Sequence, residues 1–239
     1  TISTGGFSTS DASLGHFQSP AIELIAIAGM VVGSLPFILY LKTAQGNFRA
    51  LLHDGQVQWF ISIVFFLIAA TAGWLWFVNG MSPTEALRYG SFSIVSVITG
   101  TGYTNTNYGL WGGLSVPILF FAMFIGGCAG STTGGIKVFR FQVLYAAARS
   151  QIHTLLHPHG VFIPYYNHRP IPDDIIVSVF SFFFVFGVSF AVLAMGLGML
   201  GLDFLTAISS AAAAIANVGP GLGPITGPAG NFATMPDAA

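Results

Sequence analysis

Apolar positions along this chain gather into three runs, residues 20–41, 57–78 and 175–200, each long enough for the roughly 20 residues of a membrane-spanning helix. A fourth apolar stretch, residues 114–149, does not fit that length. As one helix rising about 1.5 Å per residue it would extend roughly 54 Å, well beyond a hydrocarbon core of about 30 Å. The run Gly126-Gly127-Cys128-Ala129-Gly130-Ser131-Thr132-Thr133-Gly134-Gly135 begins about 18 Å along it and predicts a break there.

Two shorter segments, residues 83–98 and 204–216, are too short to span and read as re-entrant half-helices. Ser82 is placed as N-cap of the first, with Pro83 at its first position and Glu85 set for a capping box. That makes structure the better reading of Glu85 than ion ligation. Asp203 offers an acceptor to the start of the second. Both helices end at glycine-rich segments, so their negative dipole ends point where a cation would sit.

Composition makes the membrane reading firm: 54% of the 239 residues are hydrophobic, 6% are charged, and mean hydropathy is +0.77. A net charge of −1 without a clustered basic face excludes nucleic acid as a partner. Lys42 and Arg49 share one loop, and Lys137, Arg140, Arg149 and Arg169 follow the predicted break, which assigns both regions to the cytoplasmic side. The lone cysteine, Cys128, reads as a small buried packing residue. His153, His157, His159 and His168 lack the cysteine or carboxylate spacing of a metal site and read as part of a cytoplasmic loop. The first residues have no basic region or cleavage site of a signal peptide, and the sequence is read as a segment of a longer chain.

Three stretches share one signature: Thr4-Gly5-Gly6-Phe7-Ser8, Gly100-Thr101-Gly102-Tyr103-Thr104 and Asn217-Val218-Gly219-Pro220-Gly221. Their central glycines, Gly6, Gly102 and Gly219, are 96 and 117 residues apart, a spacing compatible with tandem repeats. Extended glycine-rich backbone persists in a membrane where it is buried or lines a watery path. A ring of its carbonyls can replace the hydration shell of potassium. Tight helix packing explains one glycine pair equally well, but three such loops on one side favour a pore. For residues 126–135 a smooth packing face of Gly126, Gly130 and Gly134 is the alternative to a break, opposed by the doubled glycines and Ser131-Thr132-Thr133.

These motifs closely resemble the Trk/Ktr/HKT superfamily of potassium transporters, in particular its TrkH-like pore subunits. The resemblance implies an all-α integral membrane fold of tandem helix–pore-loop–helix repeats around a central, potassium-channel-like pore. It assigns residues 1–53 to the end of a second repeat, 54–150 to a complete third, 151–170 to a cytoplasmic loop and 171–239 to the start of a fourth. It implies a selectivity filter at Thr4, Gly5, Gly6, Phe7, Gly100, Thr101, Gly102, Tyr103, Asn217, Val218, Gly219 and Pro220. It implies a gate beneath that filter at Gly126, Gly127, Cys128, Ala129, Gly130, Ser131, Thr132, Thr133, Gly134, Gly135 and Lys137. Lys137 and Arg140 serve either as topology signals or as a charge barrier in a closed pore. Further implications are potassium as the transported ion, no bound organic cofactor, a bacterial inner-membrane location among lipids, a homodimer and a cytosolic nucleotide-binding regulatory subunit. Passive flow and symport with protons or sodium both stay open.

Two other function classes compete. A secondary transporter of another solute also uses broken helices, but calls for inverted repeats and intramembrane carboxylates. Glu23, near the end of its span, is the single such carboxylate. A membrane enzyme needs a nucleophile, an acid–base pair or a metal motif, and none is discernible in the sequence.

Overall fold

A computed structural model describes residues 4–10, 12–167 and 169–230 of the chain. Its helices are α1 (Pro20–Gly33), α2 (Phe37–Ala44), α3 (Arg49–Leu52), α4 (Gly55–Phe77), α5 (Pro83–Ile98), α6 (Ser115–Ile125), α7 (Val138–Leu156), α8 (Asp173–Met199) and α9 (Phe204–Ala216). A two-stranded antiparallel ladder, β1 (Tyr165–Tyr166) and β2 (Arg169–Pro170), closes the loop before α8. The sequence pattern leaves that small ladder unsuspected. The fold is that of an all-α membrane protein.

The two long helices α4 and α8 are apolar beyond their first turns and long enough to cross a bilayer. Most of their surface lies bare, with only 22% and 6% of their most apolar windows buried, as lipid-facing helices require. Local caps fix the half-helices as the sequence predicts. The Ser82 hydroxyl accepts from the Glu85 amide at 3.3 Å and donates to the Glu85 carboxylate at 2.7 Å, while Asp203 Oδ2 accepts from the Thr206 amide at 3.1 Å.

Packing repeats along the chain. The half-helix α5 lies against α4, the helix before it, and against α1 from the preceding segment; α9 lies in the same way against α8 and α6. Backbone detail repeats too: the Thr101 amide donates to Ser96 O at 3.0 Å, and the Val218 amide donates to Ala213 O at 2.9 Å, at the same offset that separates Gly102 from Gly219. Three apolar clusters fill the interior of the described residues, the smallest built on Val143, Ile171 and Val179. Of the larger two, one gathers Leu75, Ile94, Tyr108, Leu119 and Met123 with the alanines of α9; the other joins Met30, Phe60, Phe92, Ile98, Cys128 and Val138.

One expectation is corrected. Residues 20–41 do not form one straight span: α1 and α2 meet at 94° across Ser34-Leu35-Pro36. Proline has no N–H to donate and its ring collides with the preceding turn, so the helix ends before Pro36. The carbonyls freed by that break find partners in the 126–137 loop. Ser34 O accepts from the Cys128 amide at 2.9 Å, and Gly33 O accepts from the Thr132 hydroxyl at 3.1 Å. The 96-residue offset between Gly6 and Gly102 carries this bend onto the break after α6, so both helices that follow a glycine loop are interrupted at matching positions.

Candidate functional site

The three glycine signatures come together although they are far apart in sequence. The Gly5 amide donates to Gly100 O and the Gly6 amide to Thr101 O, both at 2.8 Å. Gly6, Gly102 and Gly219 abut one another through backbone. A Cβ at Gly219 would lie 2.8 Å from Gly6 Cα, and one at Gly102 would lie 2.8 Å from Gly6 Cα and collide with the Val218 carbonyl. Each loop also sets a carbonyl against the next: Val218 O against Gly102, Gly102 O near Gly6, and Gly5 O against Gly219. Gly102 has φ +72°, left-handed backbone that side chains disfavour, so this residue must be glycine for both space and conformation. Thr4 and Asn217, at φ +53° and +55°, adopt the same conformation with side chains attached, and Asn217 Nδ2 donates to Thr4 Oγ1 at 3.3 Å.

Hydroxyls on the half-helices brace these loops, a feature that sequence reasoning missed. Ser96 donates to Tyr103 O at 2.6 Å, and Ser209 both donates to Leu222 O and accepts from the Leu222 amide at 2.8 Å. Of the remaining predicted filter residues, Thr101 and Val218 are buried, Pro220 packs beside Gly6 and Gly102, and Phe7 projects outward at 85% exposure. The signal for the braces is present as serine on otherwise apolar helix faces, but its partners lie beyond the helix end.

Residues 126–137 leave the helix path as a closed loop. Its base is tied by the Ile136 amide to Phe124 O at 2.8 Å and the Val138 amide to Gly127 O at 2.9 Å. Gly134 reaches the glycine loops, lying against the Ala216 carbonyl at the end of α9 and close to Gly100. Gly130 O accepts from the Phe37 amide at 3.0 Å, and the Ala129 amide donates to Gln56 Oε1 at 2.8 Å. The buried Thr133 hydroxyl accepts from the Gly127 amide at 2.9 Å. Cys128 is fully buried in the cluster with Phe60 and Met30, the packing role expected of it. Gly126 at φ +72° and Gly135 at φ +71° turn the chain out of and back toward the helix axis.

Two arginines are paired or stacked. Arg88 on α5 makes a two-pronged pair with Glu23 on α1, Nε to Oε2 and Nη2 to Oε1 both at 2.7 Å, with Glu23 only 3% exposed. The sequence reading noted Glu23 and passed over Arg88. The Arg140 guanidinium stacks 3.8 Å from the Phe182 ring centroid, tying α7 to α8. His153 and His157 pack on the Phe162 ring beside a cavity of about 620 Å³; His168 lies outside the described residues.

Comparison with known proteins now decides the family. The whole sequence, residues 1–239, matches the family model TrkH, described as a cation transport protein. The chain belongs to the TrkH family. It is 46% identical over 241 aligned residues to the Trk system potassium uptake protein TrkI of Halomonas elongata, covering 100% of this chain and 49% of that protein. Against the Trk system potassium uptake protein TrkH of Escherichia coli (strain K12) it is 34% identical, over 98% of this chain and 48% of the relative. The crystal structure of the potassium transporter TrkH from Vibrio parahaemolyticus superposes with a TM-score of 0.90 at 32% identity, covering 98% of this chain and 50% of that one. The chain thus spans about half the length of the TrkH relatives it matches. As a TrkH-family member it is a multi-pass protein of the bacterial cytoplasmic membrane.

Proposed function

We propose that this chain forms part of a potassium-uptake pore, with backbone carbonyls of the three glycine loops as its selectivity filter and residues 126–137 as its gate. The role is transport rather than catalysis. The observation that carries the reading is the mutual backbone contact of Gly6, Gly102 and Gly219, with a carbonyl from each loop turned to the next. Oxygen dipoles gathered in this way can stand in for the water lost by an alkali cation. The C-terminal ends of α5 and α9 run into these loops, so their dipoles add negative potential there. Gly5 and Gly6 amides occupy the Gly100 and Thr101 carbonyls, so ion occupancy exchanges those hydrogen bonds for cation contacts.

In this reading residues 1–53, 54–150 and 171–239 are the end of the second, the whole third and the start of the fourth pore repeat, with 151–170 as a cytoplasmic loop. Potassium is the transported ion. The relatives' names place them in potassium uptake systems, which supports partners for this chain as well: a second copy forming a homodimer, and a cytosolic nucleotide-binding subunit that sets opening. The test is potassium uptake by the full-length chain in a strain unable to take up potassium. Restored growth at low potassium, lost on Gly102→Ser, is the expected result; failure to restore growth by a protein shown to be in the membrane would contradict the reading.

A further inference from the structure

Lys137 ends the 126–137 loop with its side chain turned back onto it. The ammonium donates to Ser131 O at 3.2 Å, to Ser131 Oγ at 3.4 Å and to Thr133 Oγ1 at 3.3 Å. Lysine has three N–H donors and no acceptor, so these three oxygens take up its whole hydrogen-bonding capacity. None of them is a carboxylate. The ammonium is held as a bare monovalent cation by carbonyl and hydroxyl dipoles, the ligand chemistry that a potassium filter uses. The oxygens are themselves fixed: Ser131 Oγ donates to Cys128 O at 2.6 Å and lies 2.9 Å from Thr133 Oγ1, and Thr133 is 4% exposed. A cavity of about 640 Å³ reaches this place, lined by Ala129, Gly130, Lys137, Arg140, Asp174 and Ser178.

We infer that Ser131 O, Ser131 Oγ and Thr133 Oγ1 form a monovalent-cation site in the loop, kept filled by the tethered ammonium of Lys137 while the loop is closed. The inference rests on reading residues 126–137 as a gate. An ammonium drawn back onto its own loop, away from any carboxylate partner, calls for a role. Here the partner is a cage of neutral oxygens, and the role is to occupy the position where a permeating ion would otherwise rest. When the loop moves, the ammonium leaves and the oxygens become available to the passing ion.

The test is diffraction from the full-length protein carrying Lys137→Met, soaked in thallium(I) beside the parent. The expected result is an anomalous peak among the three oxygens in the variant and none there in the parent. Lys137→Gln serves as a second neutral variant and must show the same peak. An ordered loop without a peak in either variant overturns the proposal. So does a peak of equal height in the parent, or a loop that loses its shape in both variants, since the ammonium would then be a structural tie. Thallium flux separates this from the gate reading. Raised flux on shortening the loop, with no peak in the neutral variants, leaves the gate standing and removes the cage; unchanged flux on shortening removes the gate itself.

Discussion

A side chain at residue 102 has no space to occupy. Its Cβ would meet the Val218 carbonyl and Gly6 Cα at once, on backbone at φ +72°. Gly102→Ser therefore pushes two loops apart, and we expect potassium-over-sodium preference in the full-length chain to fall on the order of tenfold, the equivalent of about 1.4 kcal/mol. Competing potassium and sodium uptake measures it, and an unchanged ratio would contradict the packing described. The Glu23–Arg88 pair makes a different prediction. Removing Arg88 leaves a carboxylate buried without its partner, which costs roughly 3 kcal/mol, whereas removing both partners costs less than the two single changes together. Thermal melts of Arg88→Ala, Glu23→Ala and the double variant in detergent provide the cycle; strictly additive losses would show that the pair is uncoupled.

The loop of residues 126–137 is held by contacts from three elements, α2 through Phe37, α4 through Gln56 and the bend at Gly33 and Ser34. Deleting residues between Gly127 and Gly134 should raise flux through the full-length protein reconstituted in liposomes, and unchanged flux by a folded deletion variant would contradict the gate role proposed for it. Gln56→Ala should raise flux by a smaller factor, because it frees one amide, that of Ala129, from its acceptor. These elements differ in how far the sequence discloses them. The half-helices α5 and α9 are legible to the residue, because Ser82 and Asp203 accept from amides within one turn and Pro83 is preset for the first helical position. The break after α6 is legible from its glycines and from a length that no bilayer accommodates. The bend at Pro36 is not, because apolar residues on both sides satisfy the hydropathy of a span, and the groups that receive its freed carbonyls, Cys128 and Thr132, lie about a hundred residues on. The ladder of β1 and β2 is too short for any alternation to register.

At the scale of the whole molecule, each half-helix packs against the helix before it and a helix from the preceding segment, and this relation repeats from α1–α4–α5 to α6–α8–α9. Such repetition accompanies the meeting of the three glycine loops at one place. The proposed homodimer follows from the resemblance, and mass measurement of the full-length protein in detergent tests it: a mass of two copies is expected, and a single copy under all conditions would contradict it. The proposed filter has a more direct test. Crystals of the full-length protein grown in rubidium should show an anomalous peak beside Gly6, Gly102 and Gly219, within coordinating distance of their loop carbonyls. Rubidium bound elsewhere, with that position empty in an ordered filter, would contradict the central claim.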